Sequence, residues 1–114
     1  MRLGQYREAV ADAETALRLG PQSPRLLWNA ARIYAQAAGK LDAAAAKRDR
    51  LAVALRSQYE QRAVQLLRQA LDKAAPKQAA FWRDYIGADK AALSPIRSSP
   101  AFAQLAAEYS RPAR

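Results

Sequence analysis

The run Gly4-Gln5-Tyr6-Arg7-Glu8-Ala9-Val10-Ala11-Asp12-Ala13-Glu14-Thr15-Ala16-Leu17-Arg18-Leu19-Gly20-Pro21 sets the pattern for the whole chain. Its apolar members Tyr6, Ala9, Val10, Ala13, Ala16 and Leu17 recur at steps of three and four, which places them on one stripe of a helix over residues 5–19. Gly20 and Pro21 then stop that helix. Ser23 is suited to cap a second helix with Pro24 at its first position. Leu27, Ala30, Ala31, Tyr34 and Ala38 carry the same rhythm up to Gly39, which is expected to close it.

Beyond Gly39, residues 41–75 contain no Gly and no Pro, and Leu51, Leu55, Tyr59, Ala63, Leu66 and Ala70 follow a helical stripe. The spacing predicts one long helix of roughly 33 residues, about 50 Å at 1.5 Å per residue. Its weak point is residues 49–57, where a break into two helices would leave few marks in the sequence. Pro76 is placed to open a further helix carrying Phe81, Trp82, Tyr85 and Ile86, with Gly87 closing it. Residues 89–99, with Ser94-Pro95 and Ser98-Ser99-Pro100, read as a connector, after which Ser99 caps a short last helix bearing Phe102, Leu105, Ala106 and Tyr109. The organisation expected is one helical domain over residues 1–109 and a frayed tail over 110–114.

Composition narrows the chemistry. The chain has 114 residues, 19 Lys plus Arg against 10 Asp plus Glu, a formal net charge of +9, and neither His nor Cys. Alanine makes up about a quarter of it, a mixture that favours helices. Without His or Cys there is no Ser-His-Asp triad, cysteine nucleophile, disulfide or Cys/His zinc site. The acids form no catalytic pattern: Glu8 and Asp12 share a helix face at i, i+4, and a solvated first turn explains them. The chain is therefore expected to be non-enzymatic, with no cofactor and no metal. The N-terminus turns polar at once and lacks the apolar run of a secretory signal, and Arg or Lys interrupts every long Ala and Leu stretch, so the expected location is cytoplasmic.

The segment Gly4 to Ala9, followed by Ala13, Ala16, Leu17 and Pro21, resembles the second helix of a tetratricopeptide repeat, the 34-residue helix-turn-helix unit. In that resemblance Ala9 and Ala16 occupy small positions where neighbouring helices cross closely, and Ala13 replaces the usual aromatic. Leu27, Ala30, Ala31 and Tyr34 stand where the family has Trp, Leu, Gly and Tyr, with Tyr34 the one strict match. The 25 residues from Ala9 to Tyr34 equal the spacing that the repeat demands. Ala63, Val64, Leu67, Ala70 and Leu71 resemble another second helix, but Ala63 follows Ala9 by 54 residues instead of 34, so about 20 residues have entered. The run from Leu93 to Leu105 resembles the segment that closes such arrays in some bacterial proteins, including arrays fused to serine/threonine kinases.

The resemblance implies an all-α, antiparallel helix-turn-helix stack, a fragment of an α-solenoid, with one long helix and a C-terminal capping helix. The stripe Tyr6, Val10, Ala13, Leu17 would then have only one neighbour, and either upstream repeats or a second chain, as in a homodimer, would cover it. The resemblance also implies a protein-interaction scaffold whose first helices line a groove for a partner peptide or protein. On the second helix, Arg25, Asn29, Arg32 and Gln36 share one face, with Trp28 beside them. Their donors would suit a peptide carboxylate or an acidic segment; the plainer reading is a solvated polar face. Trp28 and Trp82 read as packing elements before ligand platforms, and Phe81, Trp82 and Tyr85 as a plug between the long helix and the cap. The alternative function is nucleic-acid binding by a basic stripe of Lys47, Arg48, Arg50, Arg56, Arg62 and Arg68, against which Asp42, Asp49, Glu60 and Asp72 are interleaved.

Overall fold

In a computed structural model of the chain, which describes residues 3–20, 22–46, 50–87 and 93–109, the first helix ends and the second begins where the breakers stand. Helix α1 spans Leu3–Leu19, and the Gly20 amide donates to the Ala16 carbonyl as the chain leaves it. Ser23 caps α2, Pro24–Ala46, its Oγ accepting from the Leu26 amide at 3.1 Å. The orphan donor of a first helical turn is thereby satisfied, an effect of about 1 kcal/mol.

Helix α2 does not stop at Gly39. It runs seven residues further to Ala46, and no described glycine has a positive φ. The reason is packing. A Cβ at Gly39 would lie 2.8 Å from Pro95 Cγ, so glycine is needed there for close approach and not as a helix terminator. Leu41, one turn beyond Ala37 and two beyond Tyr34, is buried with Tyr6, Ala37 and Ala52, which gives the extension an apolar anchor.

The single helix expected over residues 41–75 is likewise two pieces. Residues 41–46 belong to α2, α3 is Arg50–Ala74, and 47–49 lie outside the described residues. The two helices run antiparallel, since Ala37 and Leu41 meet Ala52 while the Tyr34 ring lies 5.5 Å from that of Tyr59. A straight helix of about 50 Å would exceed the longest extent of the molecule, 45 Å. Folding back lets Ala63, Leu66, Leu67, Ala70 and Leu71 of α3 join Leu27, Ala30, Ala31, Tyr34 and Ala38 of α2 in one buried cluster. The reversal also changes the stripe: Leu51, expected inside, is 70% exposed, and Ala52 is buried in its place.

Helix α1 lies along α2 and reaches α3 through its side chains. Tyr6, Ala13 and Leu17 are buried within the chain, and the Tyr6 ring meets Tyr59 edge-on at 6.0 Å. The stripe that seemed to need an outside cover is thus covered by α2 and Tyr59. Of the three alanines on this stripe Ala13 is buried, whereas Ala9 is half-buried and Ala16, expected at a close crossing, is exposed.

The C-terminal third closes the other side of the α2–α3 hairpin. Helix α4, Gln78–Phe81, starts two residues after Pro76 and continues as a π turn over Trp82–Ile86, ended by the Gly87 amide donating to the Trp82 carbonyl at 2.6 Å. Phe81, Trp82 and Ile86 are buried. A 3-10 turn over Ser94–Ile96 follows. The described part of the expected connector is core, because Leu93 and Ile96 are fully buried. Ser99 caps α5, Pro100–Tyr109, its Oγ accepting from the Phe102 amide at 3.1 Å. Of the three residues expected as a plug, Trp82 meets the cap, 5.9 Å from the Phe102 ring and 6.2 Å from that of Tyr109, whereas Tyr85 packs on Phe81 and Trp28. The fold is all-α. The expected frayed tail, residues 110–114, lies outside the described residues.

Candidate functional site

The polar face of α2 is held by aromatic packing from the C-terminal segment. Trp28 is half-buried, and its ring meets Tyr85 of the π turn edge-on at 5.3 Å, while Tyr85 stacks on Phe81 at 4.8 Å. The Arg32 guanidinium lies over the Trp28 ring, 4.7 Å from its centroid. A cation on an indole face is attracted by about 0.5–1 kcal/mol even at an exposed site, so Trp28 contributes to orienting Arg32. Its Nη1 donates to Asn29 Oδ1 at 3.4 Å. Trp28 Nε1 is buried and finds no hydrogen-bond partner among the described residues.

The five residues predicted from sequence therefore divide. Trp28, Asn29 and Arg32 form one connected group, with Arg25 and Asn29 exposed and Trp28 and Arg32 half-buried. Gln36, two turns after Asn29, lines a separate cleft of about 500 Å³ together with Gly39, Lys40, Arg56, Ser94, Pro95 and Ser98. Three segments far apart in sequence build this cleft: the second half of α2, the first half of α3, and the 3-10 turn with the residues after it. The Gly39–Pro95 approach fixes the turn against α2, which brings Ser94 and Ser98 beside Lys40.

Sequence reasoning about this face missed Lys40, Ser94 and Ser98, and saw Arg56 only as part of a basic stripe. Lys40 was within reach, because it follows Gln36 by four residues and so shares its face. The other three meet it only through the helix reversal and the burial of Leu93 and Ile96, for which the local pattern carries no signal.

The basic stripe on α3 is broken by carboxylates. Arg56 pairs with Glu60 at 3.0 Å, Arg62 with Glu14 at 2.9 Å, and Arg68 with Glu108 at 2.7 Å. Arg50 is exposed; Lys47 and Arg48 lie outside the described residues. A track of free cations along α3 is not what these side chains make.

A second polar cluster joins three helices. Tyr34 Oη donates to Glu14 Oε1 at 2.6 Å, Arg62 Nε donates to the same oxygen, Arg62 Nη2 to Glu14 Oε2 at 3.3 Å, and Arg62 Nη1 to Gln65 Oε1 at 2.8 Å. The Arg62 hydrogen bonds hold the Glu14 carboxyl below its ordinary range, against the opposing effect of burial. Burial, with the adjoining carboxylate, pushes the Tyr34 hydroxyl up to about 12. Hydrogen bonding to Glu14 holds Arg62 above its ordinary value. Each charge here faces its complement, so the cluster fastens α1 to the hairpin. Among the described residues no three Asp or Glu gather as metal ligands, and no helix is long and apolar enough to cross a membrane.

The chain matches no known protein-family profile and has no significant match among curated proteins or solved structures.

Proposed function

We propose that this chain is a non-catalytic protein-interaction module, a scaffold of tetratricopeptide type that receives a partner peptide or protein along the polar face of α2. The observation that carries the reading is the group Trp28, Asn29 and Arg32, packed on Tyr85 and on the same side of α2 as Gln36 and Lys40, which line a separate cleft further along the helix. Such a surface presents directed donors and an aromatic wall, and recognition favours side chains whose freedom is already lost. The antiparallel α2–α3 pair and the sequence interval from Ala9 to Tyr34 are what support the tetratricopeptide reading. The long α2 and α3, the exposed Ala16 and the early fold-back depart from its regular geometry. Nucleic-acid binding draws less support, because Arg56, Arg62 and Arg68 face carboxylates of the chain itself.

The test is selection from a random peptide display library on the immobilised chain, followed by affinity measurement with Arg32→Glu and Trp28→Ala. Peptides that bind the parent and lose affinity in both variants would support the α2 face. Unchanged affinity in both, or no selected peptide at all, would remove it. Affinity for nucleic acid that falls steeply with salt would favour the alternative.

A further inference from the structure

Among the described residues three large apolar side chains project into solvent: Leu19 at 82%, Leu51 at 70% and Val53 at 50% exposure. Two of them share the first turn of α3, at the end of the hairpin where Ala52 is buried with Ala37 and Leu41. Successive helical residues are about 100° apart, which sets Leu51, Ala54, Arg50 and Val53 side by side across the outward half of that turn, opposite Ala52. Arg50 and Ala54 are exposed, and Arg50 has no ion-pair partner among the described residues. The sequence at this end is restricted in kind: from Ala43 to Leu55 it contains only Ala, Leu and Val apart from Lys47, Arg48, Asp49 and Arg50. Three cations against one acid thus stand directly before the exposed Leu51. A merely solvated helix start would carry polar side chains there, as α3 does one and two turns later at Ser57, Gln58 and Gln61.

We propose that this end of the hairpin docks on an anionic lipid surface, with Leu51 and Val53 entering the headgroup boundary and Arg50 meeting the lipid anions. The inference is independent of the peptide-binding reading and uses a different part of the molecule. Charge complementarity selects the occupant. The chain is +9, and cations beside protruding apolar side chains are the combination that holds a helix at a membrane interface, where apolar burial and attraction to anionic headgroups add. A nucleic acid would engage the cations and gain nothing from Leu51 and Val53. A folded partner would have to supply a hollow matched to two projecting side chains, whereas lipid headgroups part around them. One turn with two apolar side chains supports reversible association, not permanent anchoring.

The experiment is flotation of the full chain with vesicles of equimolar phosphatidylcholine and phosphatidylserine, compared with vesicles of phosphatidylcholine alone. Partition should be at least about tenfold weaker on the neutral vesicles. The paired change Leu51→Gln and Val53→Gln should weaken partition to the anionic vesicles about tenfold, and Arg50→Gln about fivefold. Leu19→Gln should leave it unchanged: Leu19 is more exposed than Leu51 and ends α1, far from the Tyr6 end that packs with Ala52. All four positions are exposed, and circular dichroism verifies the fold of each variant. The chain has no cysteine, so Leu51→Cys and Leu19→Cys can each carry one environment-sensitive fluorophore. On anionic vesicles the label at position 51 should shift to the blue and the label at position 19 should not. Absent partition to anionic vesicles, equal partition to neutral ones, equal weakening by Leu19→Gln, or equal spectral shifts at the two positions would each overturn the proposal. So would sedimentation showing that Leu51 and Val53 hold two copies of the chain together while vesicles leave it unbound.

Discussion

Replacing Gly39 by alanine tests the placement of the Ser94–Ile96 turn on α2, and so the wall of the cleft. In the interior of an ordinary helix, glycine to alanine stabilises by roughly 0.5–1 kcal/mol, through lost backbone freedom in the unfolded chain. Gly39 has helical neighbours on both sides, and helix propensity alone predicts that gain. The structure reverses the sign. The added Cβ would meet Pro95 Cγ at 2.8 Å and Pro95 Cβ at 3.1 Å, both atoms of a ring that cannot rotate away. Relief requires the turn to shift, and overpacking of this kind costs typically about 1–3 kcal/mol. The net expectation for Gly39→Ala is destabilisation of about 1 kcal/mol, or about 4 °C in Tm for a chain of this size. The control is the same change in a Pro95→Gly background, where both ring atoms are gone and the helix gain of roughly 0.5–1 kcal/mol should return. Urea unfolding of the four proteins yields the coupling directly. A single Gly39→Ala variant more stable than its parent would refute the reasoning, because the turn would then not lie where Pro95 places it.

Three further outcomes follow from the packing. Trp82→Ala should cost about 3–5 kcal/mol, since the indole is buried against Phe102 and Tyr109, and an unmoved Tm would contradict the plug. Leu51→Ala should lie within about 0.5 kcal/mol of the parent, as expected of an exposed site, whereas Ala52→Leu should destabilise by about 1–3 kcal/mol by overpacking; the reverse order would restore the stripe read from sequence. Glu14, whose folded pKa is lowered, contributes stability that is present above its unfolded pKa and lost as pH falls through the folded value. Tyr34, raised to about 12, contributes stability that is complete below the ordinary tyrosine range near 10 and fades as pH climbs from there toward 12. Urea midpoints for the parent and for Tyr34→Phe across both pH windows check these signs: the variant should lose the alkaline contribution of Tyr34 and keep an acid-side decline that Glu14→Gln reduces.

The features legible in the sequence are those set by local chemistry. Ser23 and Ser99 cap the helices that they precede, Gly20 marks the end of α1, and the apolar rhythm of Leu27, Ala30, Ala31, Tyr34 and Ala38 is the buried face of α2. The aromatic run from Phe81 to Ile86 is core, as its composition implies. Reading failed where a residue serves a distant partner. Gly39 looks like a terminator until Pro95 is seen against it, and helix-forming residues on both sides of the α2–α3 reversal leave no local mark of a fold-back. Leu93 and Ile96 sit among serines and prolines, so their burial is visible only once α2 is in place. The same division runs through the site. Trp28, Asn29, Arg32 and Gln36 share a helix face and were legible, whereas the meeting of Gln36 and Lys40 with Arg56, Ser94 and Ser98 depends on tertiary contacts.

The proposed function stands or falls on whether a partner peptide docks along the polar face of α2. An amide-resolved NMR titration of the full chain with an unlabelled display-selected peptide locates binding without altering any residue. Shift changes should concentrate at Arg25, Trp28, Asn29, Arg32 and Gln36. Changes spread evenly over Arg18, Lys73, Lys77 and Arg83, or confined to residues away from the α2 face, would refute that reading.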